Sequence, residues 1–277
     1  MEFKIAFIVL LFGKYEWYLS YFLASCKYNQ SIDFYILTDF PNEFHELSSN
    51  IRVLEYTKEQ FVKDASQSLG FKISLERNYK ICDFRPAIGL IFNKLISGYD
   101  FWGYCDVDLV FGNIRDFINN ELLKTYDIIS ARHDYLTGCF ALYRNTPKIN
   151  NMFKLSKDFM HVFTNPKNFC FDEAGTAYQQ FFNNVPIDKI VSEIESMTEV
   201  VKKQMAKHKV KAYFELLIIE GTPGNILFDN GRLFYKNEFE ILLYHMIKFK
   251  NIYIEEITNT NKIPLLYMIE EDSIHTV

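Results

Sequence analysis

The sequence predicts an α/β fold, with a mostly parallel central sheet flanked by helices and a C-terminal extension of helix and hairpin. Three observations predict it. Residues 3–11 form a strand that is apolar throughout except for Lys4, of the kind that a parallel sheet buries on both faces. A helical pattern and a second apolar run follow, which is the βαβ order that parallel neighbours require. Residues 101–105 are apolar and aromatic and stop abruptly at Asp106 and Asp108, as a central strand does when its carboxyl end carries a ligand site.

Taken in order, residues 16–27 carry Trp17, Phe22, Leu23 and Cys26 near helical spacing, and residues 33–37 form the second strand, ending at Thr38 and Asp39. In a βαβ unit the loop Phe12-Gly13-Lys14 and the pair Thr38-Asp39 share the carboxyl edge of the sheet, where a nucleotide can sit. Asp39 there either accepts from a ribose or base or simply opens a turn before Pro41. Without a GxGxxG, a dinucleotide fold is not supported. Residues 51–55 are a third strand, and Thr57 with Gln60 makes a capping box for a helix to about Leu69. Pro86 suits the first turn of a helix through Leu95, placing Asp83 and Arg85 just ahead of its N-terminus. Each of these two is then either a cleft contact or half of a capping pair.

Beyond the Asp106-Val107-Asp108 stretch, Asn113 can cap a helix through Leu123, residues 127–131 form a strand, and residues 135–145 run from a loop into another. Thr146-Pro147 starts a helix to about Asp158. Phe171-Asp172-Glu173-Ala174 opens a further helix toward Phe182, its acids serving either as cap and dipole partners or as working groups. Residues 188–211 read as a Lys- and Glu-rich helix, residues 221–234 as a hairpin turning at Asp229-Asn230-Gly231, and residues 239–249 as the last strand, containing His245. Residues 1–185 form the core and 186–277 an extension of the same domain.

Composition narrows the function classes. Of 277 residues 49% are apolar, enough for a sizeable core, and aromatics reach 17%. A net charge of -5 argues against a nucleic-acid partner, which needs a basic footprint. Five cysteines without a CxxC pair indicate neither a disulfide framework nor a thiolate zinc site, and so a reduced, cytoplasmic protein. Residues 5–12 are far short of the roughly 20 that a membrane helix needs. Peripheral contact with the inner face of a membrane stays open, as does the oligomeric state.

The chemistry concentrates at Asp106 and Asp108. In extended backbone residues i and i+2 point the same way, so the two carboxylates present their oxygens together. Such a pair seats a hard divalent cation, Mg2+ or Mn2+, which bridges carboxylates to substrate phosphates.

With this strand, the βαβ opening and the distant His245, the sequence resembles the GT-A (Rossmann-like) glycosyltransferases, in particular small bacterial enzymes of capsule, exopolysaccharide and lipopolysaccharide assembly. The motifs are residues 4–9, Ile36-Leu37-Thr38-Asp39, residues 79–86, residues 98–108 and residues 137–145. The resemblance implies a nucleoside-diphosphate sugar as donor, UDP-sugar first among them, and a glycan or lipid-linked acceptor. It further implies that Asp106 and Asp108 mark the metal-diphosphate site, with His245 completing the coordination and Lys248 on the diphosphate. On the same resemblance Thr38 and Asp39 contact the nucleoside, Arg85 the donor, and Gly138 lines the sugar or acceptor cleft. Phe12, Gly13, Asp83 and Val107 join the donor-binding set. Inversion needs a carboxylate base, for which Asp172 and Glu173 are the candidates, whereas a retaining enzyme uses the departing phosphate. Two rivals remain. In a haloacid-dehalogenase-like phosphatase Asp106 is the nucleophile, and a glycosyltransferase-like scaffold binds without turnover.

Overall fold

The computed structural model describes residues 2–254 and 263–277. β1 (Ile5–Leu11), α1 (Leu19–Lys27) and β2 (Ile32–Thr38) make the opening βαβ unit, followed by β3 (Ile51–Glu55) and α2 (Lys58–Leu69). Thr57 and Gln60 form both halves of the capping box, and Gly70 ends α2 at φ 83°. A 3-10 helix over Asn78–Ala87 runs into the single turn α3 (Ile88–Ile91), then come β4 (Phe101–Cys105) and β5 (Leu109–Phe111). Next are α4 (Ile114–Phe117), α5 (Asn120–Thr125), β6 (Ile128–Ser130) and β7 (Phe140–Arg144). The helices α6 (Pro147–Asn150), α7 (Phe159–Thr164), α8 (Tyr178–Phe182) and α9 (Met197–Ala206) follow. The remainder is β8 (Ala212–Phe214), β9 (Ile218–Glu220), β10 (Ile226–Asp229), β11 (Arg232–Tyr235), β12 (Phe239–Glu240), β13 (Leu243–His245), β14 (Leu266–Ile269) and β15 (Ile274–Thr276).

The central sheet has the order β3-β2-β1-β4-β7-β6-β8. It is mostly parallel, because only β7 runs against its neighbours. The alternation of strand side chains divides β1 between two cores, Ala6 and Ile8 packing on one face and Ile5, Phe7 and Val9 on the other. That double burial is why the run looks uniformly apolar in sequence. At about 1.5–3 kcal/mol for each fully buried large side chain, β1 is a main source of stability.

Gly103 of β4 lets three elements close up. A Cβ there would lie 2.6 Å from the Ala141 carbonyl oxygen and from Leu142, and 2.8 Å from Phe7. Gly103→Ala is therefore expected to destabilise the fold by about 1–3 kcal/mol of overpacking, measured by urea unfolding.

A five-stranded antiparallel sheet, β12-β11-β10-β14-β15, packs its core against Trp17 and Tyr21 at and before the start of α1. The hairpin turn falls at Asn230 (φ 46°) and Gly231 (φ 90°), in agreement with the turn expected there. A three-stranded sheet, β5-β13-β9, joins the DxD region to the C-terminal part of the chain.

Several expected helices are shorter or displaced. The helix expected from Pro86 through Leu95 shrinks to the single turn α3, entered through a 3-10 stretch that already contains Pro86, so Asp83 and Arg85 sit within that stretch rather than ahead of an N-terminus. Residues 113–123 divide into α4 and α5 because Asn119, like Asn113, caps its own helix. Thr146 caps α6 as expected, but the chain tightens into a 3-10 turn at Met152–Leu155 and leaves the helix at Ser156. The helix expected to open at Phe171 begins only at Tyr178, since Asp172 and Glu173 turn toward Arg85 and Gly138 instead of capping. The long helix of residues 188–211 reduces to α9, whose start is set by the capping box of Ser196 and Glu199. The strand expected over residues 239–249 is two strands in different sheets, β12 and β13, and ends at His245.

Candidate active site at the carboxyl edge of the central sheet

β4 delivers Asp106 and Asp108 to the carboxyl edge, and the three-stranded sheet delivers the histidine. β13 lies between β5 and β9: His245 is level with Leu109 on one side and with Glu220 on the other. The Met246 amide donates to the Asp108 carbonyl at 2.9 Å, extending the ladder to the acid itself. Asp108 and His245, far apart in sequence, thereby come to 3.4 Å, Oδ2 to Nε2, and Asp106 Oδ2 lies 3.9 Å from the same nitrogen. One ligand atom each from Asp106, Asp108 and His245 lies within 4.8 Å of the others. Two carboxylates and one imidazole suit a borderline-hard divalent cation such as Mn2+.

Charged side chains of both signs hold this cluster together. Lys250 donates to Asp108 Oδ2 at 2.7 Å, Glu220 meets His245 Nδ1 at 2.9 Å, and Arg85 pairs with Asp106. Burial opposes ionisation of Asp108, but hydrogen bonding to His245 and the charges of His245 and Lys250 win and hold its carboxyl well below the usual range. Burial likewise opposes a charged His245, yet its hydrogen bonds to Asp108, Cys139 and Glu220 raise its pKa. A bound cation competes with these protons and ammonium groups for the same oxygens.

Arg85 ties the two halves of the site together, donating to the Gly138 carbonyl at 2.7 Å and to Asp172 at 3.1 Å while it pairs with Asp106. Asp172 is almost completely buried, and burial pushes its carboxyl up although Arg85 pulls the other way. Glu173 is half-buried. It accepts from the Gly138 amide at 2.6 Å and from the Tyr178 hydroxyl at 2.5 Å. Gly138 is needed because a Cβ there would come within 3 Å of Arg85, Asp172 and Glu173. The glycine makes room for the charged side chains that line the cleft.

Two clefts meet at Arg85, Asp106 and His245. One, of about 390 Å³, also reaches Gly138, Asp172, Glu173 and Lys248. The other, of about 360 Å³, runs under the end of β1 to Phe12, Val107, Asp108 and Lys250. The Gly13 amide donates to Asp39 Oδ1 at 2.9 Å, so the two edge loops do lie together. Thr38 is fully buried and its hydroxyl faces the Phe40 amide. Asp83 is also fully buried, outside both clefts, where it accepts from Lys80 and from the amides of Phe169 and Phe171. Its geometry is that of an anchor for the segment carrying Asp172 and Glu173.

Residues 7–276 match the model of a family of unknown function, DUF6625. The chain belongs to that family. No curated protein matches it. Among solved structures, mouse xyloside xylosyltransferase 1 in its apo form is similar at 10% identity and a TM-score of 0.45, over 88% of this chain and 97% of that one. Among the described residues, no helix of this DUF6625 member is long and apolar enough to cross a membrane.

Three site residues escaped sequence reasoning: Lys250, Glu220 and Arg132, which grips Glu220 at 2.8 Å. Continuing a strand through residue 249 puts Lys250 on the face opposite His245, but the strand ends at His245 and the turn over Phe249–Asn251 brings the lysine back. Glu220 closes a three-residue strand, too short to display an alternating pattern.

Proposed function

We propose that the chain is a metal-dependent glycosyltransferase that moves a sugar from a nucleoside-diphosphate donor to a glycan or lipid-linked acceptor in surface-polysaccharide assembly. One observation carries this reading: Asp106, Asp108 and His245 converge where two clefts meet at the carboxyl edge of the central sheet. Asp106, Asp108 and His245 Nε2 would hold a divalent cation, Mn2+ or Mg2+. When bound, it supplies positive charge to the diphosphate as the sugar leaves.

The chain's own residues do the rest. The nucleoside occupies the cleft under β1, lined by Phe12 and Val107, with Gly13 next in the chain and the exposed Asp39 bonded to its amide, and the sugar occupies the cleft of Gly138. Lys250 and Arg85 already stand on the two aspartates and add cationic charge where the leaving group becomes more negative, with exposed Lys248 at the cleft edge. Glu173, half-buried and lining the sugar cleft, is the better placed carboxylate to take an acceptor proton, while Asp172 fixes Arg85.

A thermal-shift screen of nucleoside-diphosphate sugars with and without Mn2+ tests the reading. A donor is expected to raise the melting temperature only when Mn2+ is present, since a ligand bound to the folded state alone stabilises it. A full panel that shifts nothing with Mn2+ contradicts it.

A further inference from the structure

We infer that Glu220 is the positioning residue for His245: it takes the Nδ1 hydrogen and thereby directs Nε2 at the two aspartates, itself held in place by Arg132. This rests on the metal reading of the site and adds to it the residues that aim its only nitrogen ligand.

The arrangement follows from strand register. In the parallel pair β9 and β13, Glu220 is level with His245, so the two side chains leave the sheet side by side. The antiparallel neighbour β5 brings Asp108 to the other side of the ring. An imidazole between two acids has one nitrogen for each. Glu220 Oε1 meets Nδ1 at 2.9 Å, and Nε2 is left 3.4 Å from Asp108 and 3.9 Å from Asp106. A histidine that ligates a metal through one ring nitrogen depends on a hydrogen bond at the other to fix its tautomer and its plane.

Glu220 would be a poor orienter if it swung freely, since its side chain is 32% exposed and ends a short strand. Arg132 removes that freedom. It donates to Glu220 Oε2 at 2.8 Å, leaving Oε1 for the histidine, while its own guanidinium is held by Asp134 through two bonds of 3.0 Å and lies over the Tyr135 ring at 4.5 Å. Asp134 is buried, so this end of the relay is fixed. Cys139 lies close enough to Glu220 and His245 to form an alternative ligand trio with them. A ligand role for Glu220 is thus the rival that the experiment has to separate.

Mn2+ binding to the full chain, read by the loss of the free-ion electron paramagnetic resonance signal without any donor sugar, separates them. Arg132→Ala strands the buried Asp134 and risks misfolding, so the variants are at Glu220, each checked for a parent-like melting temperature. Glu220→Ala is expected to weaken Mn2+ about 10–100-fold. Glu220→Gln keeps an oxygen that accepts from Nδ1 and should stay close to the parent. In a His245→Ala background Glu220→Ala should cost nothing further, because its effect passes through the ring; damage of a merely structural kind would add. Equal losses for Gln and Ala, additive losses in that background, or parent-like binding by Glu220→Ala overturn the inference. If the parent takes up no Mn2+, the metal reading falls and takes this with it; if the parent binds and Glu220→Ala binds equally well, only the role of Glu220 falls.

Discussion

Asp108→Ala is expected to lower Mn2+-dependent donor turnover by about three orders of magnitude. The arithmetic follows from the site. Asp108 is the more buried of the two aspartates, and its carboxylate faces both His245 and Lys250. Removing it takes away one of the three groups proposed to hold the cation and leaves the histidine and the lysine without the carboxylate that both face. A metal that stabilises a developing phosphate charge contributes several kcal/mol, and each 1.36 kcal/mol is a factor of ten in rate. Asp108→Asn, which keeps the shape and loses the charge, should fall nearly as far. Single-turnover cleavage of the donor, measured beside the melting temperature, is the check: a folded Asp108→Ala that retains a tenth of the parent rate contradicts the assignment.

The largest effect on stability is expected at Asp83. Its carboxylate pairs with Lys80 at 2.7 Å, both side chains wholly buried, and accepts from the Phe169 and Phe171 amides at 2.9 and 2.8 Å. Lys80 also donates to the Val162 carbonyl at 2.6 Å. Asp83→Ala leaves a buried ammonium without its counter-ion and two buried peptide N–H groups without their acceptor. Breaking one side of a buried ion pair costs about 3–5 kcal/mol, and the two orphaned amides add to it. Urea denaturation should show that loss as a lower midpoint. Because Asp83 pins the segment leading into Asp172 and Glu173, the variant should also loosen the hold on Arg85 and reduce activity in whatever fraction stays folded. A midpoint shift worth under about 1 kcal/mol would contradict the buried-pair account.

Much of the fold and the centre of the site were legible in the sequence, for reasons that can be stated. β1, β4 and α2 carry their own signals, since strands buried on both faces are continuously apolar and a capping box is a local pattern. Asp106 and Asp108 stood out because two acids directly after such a strand are costly unless something uses them. The breaks in α4 and α5 and the late start of α8 were not visible, because they depend on where Asn119, Asp172 and Glu173 direct their side chains in the folded chain. Lys250 and Glu220 were missed for a related reason. Each reaches the site through the pairing of β13 with β5 and β9, a long-range register that no local periodicity encodes.

The central claim is that Asp106, Asp108 and His245 close on one divalent cation that presents a nucleoside-diphosphate sugar. Its most direct test is a crystal of the protein grown with Mn2+ and UDP, with diffraction recorded at a wavelength where manganese scatters anomalously. The account predicts one anomalous peak within coordination distance of Asp106, Asp108 and His245 Nε2, touching the diphosphate. UDP bound in the cleft under β1 with no peak there, or a peak held by other residues, would contradict it.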